Sequence, residues 1–239
     1  MDYRVILQWY YFSRWLILAK NSFNIIWLTG MSGSGKSTLA EYIKDTYQKE
    51  GYSVRIIDGD DIRDKDVEKL GFGHKDVEVN NLRIAKLCFE LKDSGFDLIL
   101  VPVISPYEEV RQKIRKILEP NFHLVYLKTD IDLLKSRDTK GLYAAADRGE
   151  IKDLVGYSDV NPYDEPINPE LIILMSNDQS VNNSFNIIFD YFKKTIFLEW
   201  LQSWVLKYCE AGRLVLNMKT SEMFHNAIAF QLFVKLTNK

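Results

Sequence analysis

Short apolar runs alternate with amphipathic stretches along most of this chain. Ile25-Ile26-Trp27-Leu28, within residues 24–29, predicts a buried strand that ends at a glycine. Residues 36–49 carry helical spacing and stop at Gly51. Residues 53–57 predict a second strand, closed by Asp58-Gly59-Asp60. A long helix follows over 76–94, with Ile84, Cys88 and Leu91 on one face and Gly95 as its stop. Residues 97–104 hold the most apolar run, Leu98-Ile99-Leu100-Val101, and predict a central strand. A helix over 107–118 begins after Pro106. A strand over 122–127, a short helix over 131–137, a strand over 171–175 and a helix over 181–195 complete the series. Strands that alternate with helices imply an α/β fold, with a mostly parallel sheet flanked by helices.

Three stretches fall outside this alternation. Residues 138–169 lack a sustained period and contain Pro162, Pro166 and Pro169. A long irregular segment inside a compact domain is usually functional. Residues 1–23 are rich in aromatic and aliphatic side chains, but Arg4 and Arg14 interrupt them. A membrane-spanning helix needs about 20 mostly apolar residues, and no small-residue cleavage site marks a signal peptide. A helix packed on the domain or on a partner is the preferred reading, ahead of a membrane-surface helix. Residues 196–239 offer two further apolar helical patterns and no chemical motif. The expected organisation is an apolar extension over 1–23, an α/β domain over 24–195 and a helical extension over 196–239.

Composition narrows the function only slightly. The 239 residues include 31 basic and 33 acidic side chains, for a net charge of -2. That balance gives no nucleic-acid footprint, so an anionic small substrate needs a local cluster of positive charge. Cys88 and Cys209 form no motif and suit a reducing cytoplasm. His74, His123 and His225 show no metal spacing.

The chemistry sits between the first strand and the first helix. Gly30-Met31-Ser32-Gly33-Ser34-Gly35-Lys36-Ser37 matches the phosphate-binding pattern G-x-x-x-x-G-K-[ST] of P-loop NTPases. Its glycines let backbone amides turn inward around phosphate oxygens, and the following helix adds its positive end. Lys36 is expected at the β- and γ-phosphates of ATP, and Ser37 on Mg²⁺. Thr38 and Arg137 complete the expected ATP-binding set. After the second strand, Asp58 and Asp60 project to the same side of an extended segment. There they face the crevice at the strands' carboxyl ends. One such carboxylate can take the proton of an acceptor hydroxyl and help hold Mg²⁺. A solvated acidic turn is the plain alternative, which the P-loop makes less attractive. Arg63 can bind substrate phosphate. Arg137 and Lys140, at the mouth of the irregular segment, can stabilise charge on a transferred phosphoryl group.

With those residues in place the sequence resembles the adenylylsulfate (APS) kinase family. The likeness runs over roughly 24–195. It is carried by Trp27-Leu28-Thr29-Gly30, Asp58-Gly59-Asp60-Asp61-Ile62-Arg63, Leu70-Gly71-Phe72, Ile104-Ser105-Pro106-Tyr107, Arg137 to Tyr143 with its Lys-Gly-Leu-Tyr run, and Asn168-Pro169-Glu170-Leu171. The resemblance implies that ATP phosphorylates the 3′-hydroxyl of adenylylsulfate to give PAPS. It implies Asp60 as base and metal ligand beside Ser37, with Asp58 in support. Arg63, Phe72 and Asn80 would bind the acceptor nucleotide, with Ile104, Ser105, Leu142 and Leu154 nearby and Lys140 acting from the lid. Ser105 matches a serine phosphorylated in bacterial members; a backbone contact to substrate is the blander role. The family is commonly dimeric and cytoplasmic, so a homodimer without nucleic-acid or membrane partners is expected. Two positions depart from the family. Val77 stands where an arginine contacts the acceptor's anionic group, and Leu154 stands where an aromatic ring closes on the adenine. An insertion near Val160-Asn161 precedes Pro162-Tyr163. These departures keep open a kinase for another nucleotide-linked acceptor, such as cytidine diphosphoramidate. A nucleotide-binding regulator is the reading from another class.

Overall fold

The computed structural model describes residues 23–59, 62, 70–138 and 140–210, the stretch 196–210 as helical backbone. In chain order the elements are β1 (Asn24–Thr29), α1 (Lys36–Lys49), β2 (Val54–Ile56), α2 (His74–Glu90), β3 (Leu98–Pro102) and α3 (Glu108–Leu118). They continue with β4 (Phe122–Thr129), α4 (Ile131–Arg137), α5 (Leu142–Asp147), β5 (Leu171–Met175) and α6 (Val181–Glu210). The strands form one sheet in the order β2-β3-β1-β4-β5. Every pairing is parallel.

The apolar runs form strands because they are buried on both faces. Alternate residues of β1 point to opposite sides. Ile26 and Leu28 enter one cluster with Leu39, Ala40 and Ile43 of α1 and Phe185 and Ile188 of α6. Ile25 and Trp27 enter the other with Ile84 and Cys88 of α2 and Val110 and Ile114 of α3. A small third cluster, Leu134, Tyr143 and Leu154, lies beneath the irregular segment. Burial of each such side chain contributes roughly 1.5–3 kcal/mol, so the layers fix where the strand ends lie.

Several expected boundaries shift. β3 is interior, but the middle of the sheet belongs to β1. α2 starts at His74 and ends at Glu90, and the chain then turns to Gly95 at φ +81°. The irregular segment contains a short helix, α5. α6 continues past residue 195 to Glu210. The chain divides into two units, 1–193 and 194–239. The cleft of the candidate active site lies wholly in the first. No helix among the described residues is long and apolar enough to cross a membrane. The readings of 1–22 and of 211–239 lie outside the described residues.

Candidate active site

The phosphate loop follows directly from its glycines. At Gly30, a Cβ atom would lie 2.8 Å from the Leu127 carbonyl oxygen and 2.8 Å from Ser34 Oγ, so no larger residue fits. Gly35 adopts φ +93°, a left-handed conformation natural to glycine, and opens α1. The backbone between them curls around the positive end of that helix. Lys36 is buried, and its Nζ donates to the carbonyls of Gly30 and Met31 at 2.8 Å each. Its ammonium is therefore held against the loop itself. Ser37 and Thr38 are exposed beside it, where a metal-bridged phosphate would reach them.

The facing wall is built from the end of β2 and the start of α2. Asp58 follows Ile57, whose amide still donates to Leu100 in the sheet at 2.9 Å. Asn80 donates from Nδ2 to the Gly59 carbonyl at 3.3 Å and so ties the aspartate turn to α2. Phe72, 54% exposed, stands at the edge of this wall, and Val77 and Asn81 lie within it. The side-chain oxygens of Asn80 and Asn81 are both buried without a hydrogen-bond partner. Asp60 and Arg63 lie outside the described residues.

The floor between the two walls is strained. Ser105 has φ +46°, in the left-handed region that favours glycine. It is buried, and its Oγ has no partner. Neighbouring groups hold the strand exit in place. Thr29 Oγ1 donates to the Ile104 carbonyl at 2.6 Å, and Tyr163 OH sits 2.8 Å from the same Oγ1. Burial pushes the Tyr163 phenol up, so it stays protonated and can donate there. Arg111 Nη1 donates to the Ser105 carbonyl at 2.6 Å. A buried backbone in an uncommon conformation persists only when its surroundings over-determine it, and these bonds do so.

The irregular segment covers the cleft. Arg137 donates to the Ser176 carbonyl at 2.9 Å, next to the chain leaving β5. Asp138 accepts from the amides of Tyr143 and Ala144, which caps α5. Tyr143 OH donates to the Ser32 carbonyl at 2.7 Å, tying α5 to the phosphate loop. Burial pushes this phenol up as well, which keeps its donor proton. Lys140 lines the cleft. Leu142 and Leu154 pack into the Leu134–Tyr143 cluster instead, and it is Val155 that lines the cleft.

These walls enclose one cleft of about 570 Å³, which runs from the phosphate loop to Asp58, Phe72 and α2. It thus places a triphosphate cradle and a carboxylate-bearing wall in one space, as in-line phosphoryl transfer requires. Ile104 and Ser105 line it between the two ends. Gly30, Met31 and Ser34 shape the loop from behind, whereas Ser32, Gly33, Gly35 and Lys36 meet the cleft. Sequence reasoning missed Asn81, Val155, Met175, Gln179 and Ser184 on the lining. Asn81 alone had a signal, a second amide beside Asn80 on an otherwise apolar helix face. The others come from elements that only folding brings together.

Comparison with known proteins agrees with this geometry. The family model described as Adenylylsulphate kinase matches residues 22–174. The chain is 44% identical over 150 residues to the adenylyl-sulfate kinase of Prochlorococcus marinus, covering 62% of this chain and 73% of that one. It is 38% identical over 167 residues to that of Clostridium kluyveri, covering 70% and 82%. Its fold matches the Mycobacterium tuberculosis APS kinase solved in complex with AMPPNP and APS. That match has a TM-score of 0.65 and 34% identity, and covers 72% of this chain and 98% of the other.

Proposed function

The chain belongs to the adenylylsulphate kinase family and is an ATP-dependent phosphotransferase; from that premise we propose that it phosphorylates the 3′-hydroxyl of adenylylsulfate to give PAPS. The observation that carries the reading is the single cleft joining the Gly30–Ser37 cradle to the Asp58 wall, with Phe72 and Asn80 on the acceptor side. ATP would lie with its phosphates on the loop amides. Lys36 would leave its carbonyl partners for the β- and γ-phosphate oxygens, and Lys140 would approach the transferred group from the lid. Asp60 is the proposed base, with Asp58 orienting the acceptor hydroxyl.

Ser37 and Asp60 are the residues that would hold Mg²⁺. The donor chemistry on the described side fits: Ser37 offers a hydroxyl, a hard oxygen donor, exposed at the cleft. Mg²⁺ in kinases keeps several waters and is held by few side chains plus substrate phosphates, where it neutralises phosphate charge. The family resemblance also supports a cytoplasmic homodimer as part of this proposal; sedimentation of the purified chain would measure the dimer, and cell fractionation its location.

One observation favours a second acceptor. Val77, only 3% exposed, occupies the wall position for which the resemblance implies an arginine, and Leu154 is turned into the core. A charged hydrogen bond is worth about 1.5–3 kcal/mol, so its loss can shift acceptor preference about tenfold or more. A cytidine diphosphate derivative such as cytidine diphosphoramidate is the alternative. A coupled ADP-release assay decides. ADP release with adenylylsulfate supports the first reading; turnover confined to the cytidine compound replaces it with the second.

A further inference from the structure

We propose that Asn161 is a positioning residue that couples the irregular segment to the acceptor wall, and so sets affinity for the acceptor nucleotide rather than for ATP. The proposal rests on the kinase reading above. Asn161 is 2% exposed, and every polar group it carries is used. Nδ2 donates to the carbonyl of Phe72 at 3.1 Å and to that of Asp153 at 2.8 Å. Oδ1 accepts from Tyr107 OH at 2.9 Å. The backbone amide donates to the Ser158 carbonyl at 3.0 Å, and the carbonyl accepts from the Gly156 amide at 2.7 Å.

One amide thereby joins three segments that are distant in sequence. The first is the turn that carries Phe72 into α2. The second is the stretch from Asp153, in which Val155 lines the cleft. The third is Tyr107, which caps α3 directly after the strained Ser105 and Pro106. Tyr107 also stacks on His74, the first residue of α2, with ring centroids 3.9 Å apart. The planar amide has two donors and one acceptor at fixed angles, so it sets how far Phe72 stands from Val155 across the acceptor end. None of its bonds reaches the phosphate loop, which the irregular segment grips separately through Tyr143 and Ser32. The family resemblance implies an insertion near Asn161.

The test uses the full chain and steady-state kinetics with whichever acceptor the ADP-release assay identifies. In Asn161→Ala, acceptor KM should rise about tenfold through the lost hydrogen bonds. ATP KM and kcat should stay within about twofold, the signature of lost acceptor binding alone. Tyr107→Phe removes one of the bonds and should raise acceptor KM about threefold. Parallel changes in the ATP and acceptor parameters, or an unchanged acceptor KM, would overturn the proposal. If Asn161→Ala does not fold, Tyr107→Phe decides by the same criterion. Hydrogen exchange without acceptor separates this claim from the kinase reading. Amides of 71–76 and 153–158 should lose protection in the variant that folds, whereas those of 33–39 keep it. A chain that turns over neither nucleotide fails the kinase reading, and the exchange pattern then decides the positioning claim on its own. Uniform or absent loss of protection refutes it.

Discussion

Lys36 holds its charge against two carbonyls of its own loop at 2.8 Å, so it stabilises the cradle before any phosphate arrives. Lys36→Ala should therefore do two things. Turnover should fall at least about 100-fold, the scale of losing a preorganised charge at the transferred group. The folded state should survive, as circular dichroism would show. Near-normal turnover would remove the assigned role. His123 carries the clearest pH consequence. Burial pulls its imidazole down from the usual 6.5 to about 4, with Glu170 opposing and Arg115 adding to the shift. The neutral ring suits its neighbours, since Tyr191 OH lies 3.0 Å from Nδ1 and Asn24 Oδ1 lies 3.1 Å from Nε2. Between pH 6.5 and about 4 the unfolded chain takes up a proton that the folded chain refuses. Stability from this group is thus full above 6.5 and falls as pH drops through that window, by up to about 3 kcal/mol. Urea midpoints measured across this range should decline more steeply in the native chain than in His123→Gln.

At the scale of elements, α3 carries more than its apolar face. Arg111 is 1% exposed, and its guanidinium donates to Glu108, to the Ser105 carbonyl and to the Asp164 carbonyl. It also lies over the Tyr163 ring, 5.6 Å from the centroid. One side chain therefore fastens the strained loop after β3 and the end of the irregular segment to the same helix. Arg115, one turn later, pairs with Glu170, which accepts the Leu124 amide and so steadies the start of β5. Removing one partner of a buried ion pair typically costs about 3–5 kcal/mol. Arg111→Met should lower unfolding free energy by about 3 kcal/mol and raise the rate of proteolytic cleavage within 153–166. A midpoint unchanged by this substitution would show that the loop is held by other contacts.

At the scale of the whole molecule, the cleft is lined by residues from Ser32 to Ser184, all in the first unit. α6 runs from Val181 to Glu210, so a cut at residue 195 would sever a helix. A cut after Glu210 leaves it whole. The chain ending at Glu210 should phosphorylate its acceptor within about twofold of the full-length rate, because rates follow groups at the reacting centre. A larger loss would show that residues 211–239 serve the active site or an assembly that completes it. Sedimentation of both chains would tell these two apart.

The strands and the phosphate loop were legible in the sequence for a local reason. Strands buried on both faces need continuous apolar runs, and a phosphate cradle needs glycines at fixed spacing. The helix after the loop was legible through its apolar spacing, whereas the Lys-Gly-Leu-Tyr run stood out only through the family resemblance. The family resemblance, not the residue types themselves, marked Val77 and Leu154 as departures. What the sequence left open was direction and company. Only packing decided that Leu154 turns to Leu134 and Tyr143 while Val155 meets the cleft. Only packing put β1, not β3, in the middle of the sheet, because strand order depends on which helices cover which face. The joins of Asn161 to Phe72, Arg111 to Asp164 and Tyr163 to Thr29 span 89, 53 and 134 residues of sequence. No local pattern encodes such contacts, since each is an ordinary polar residue until folding removes water and leaves it one set of partners.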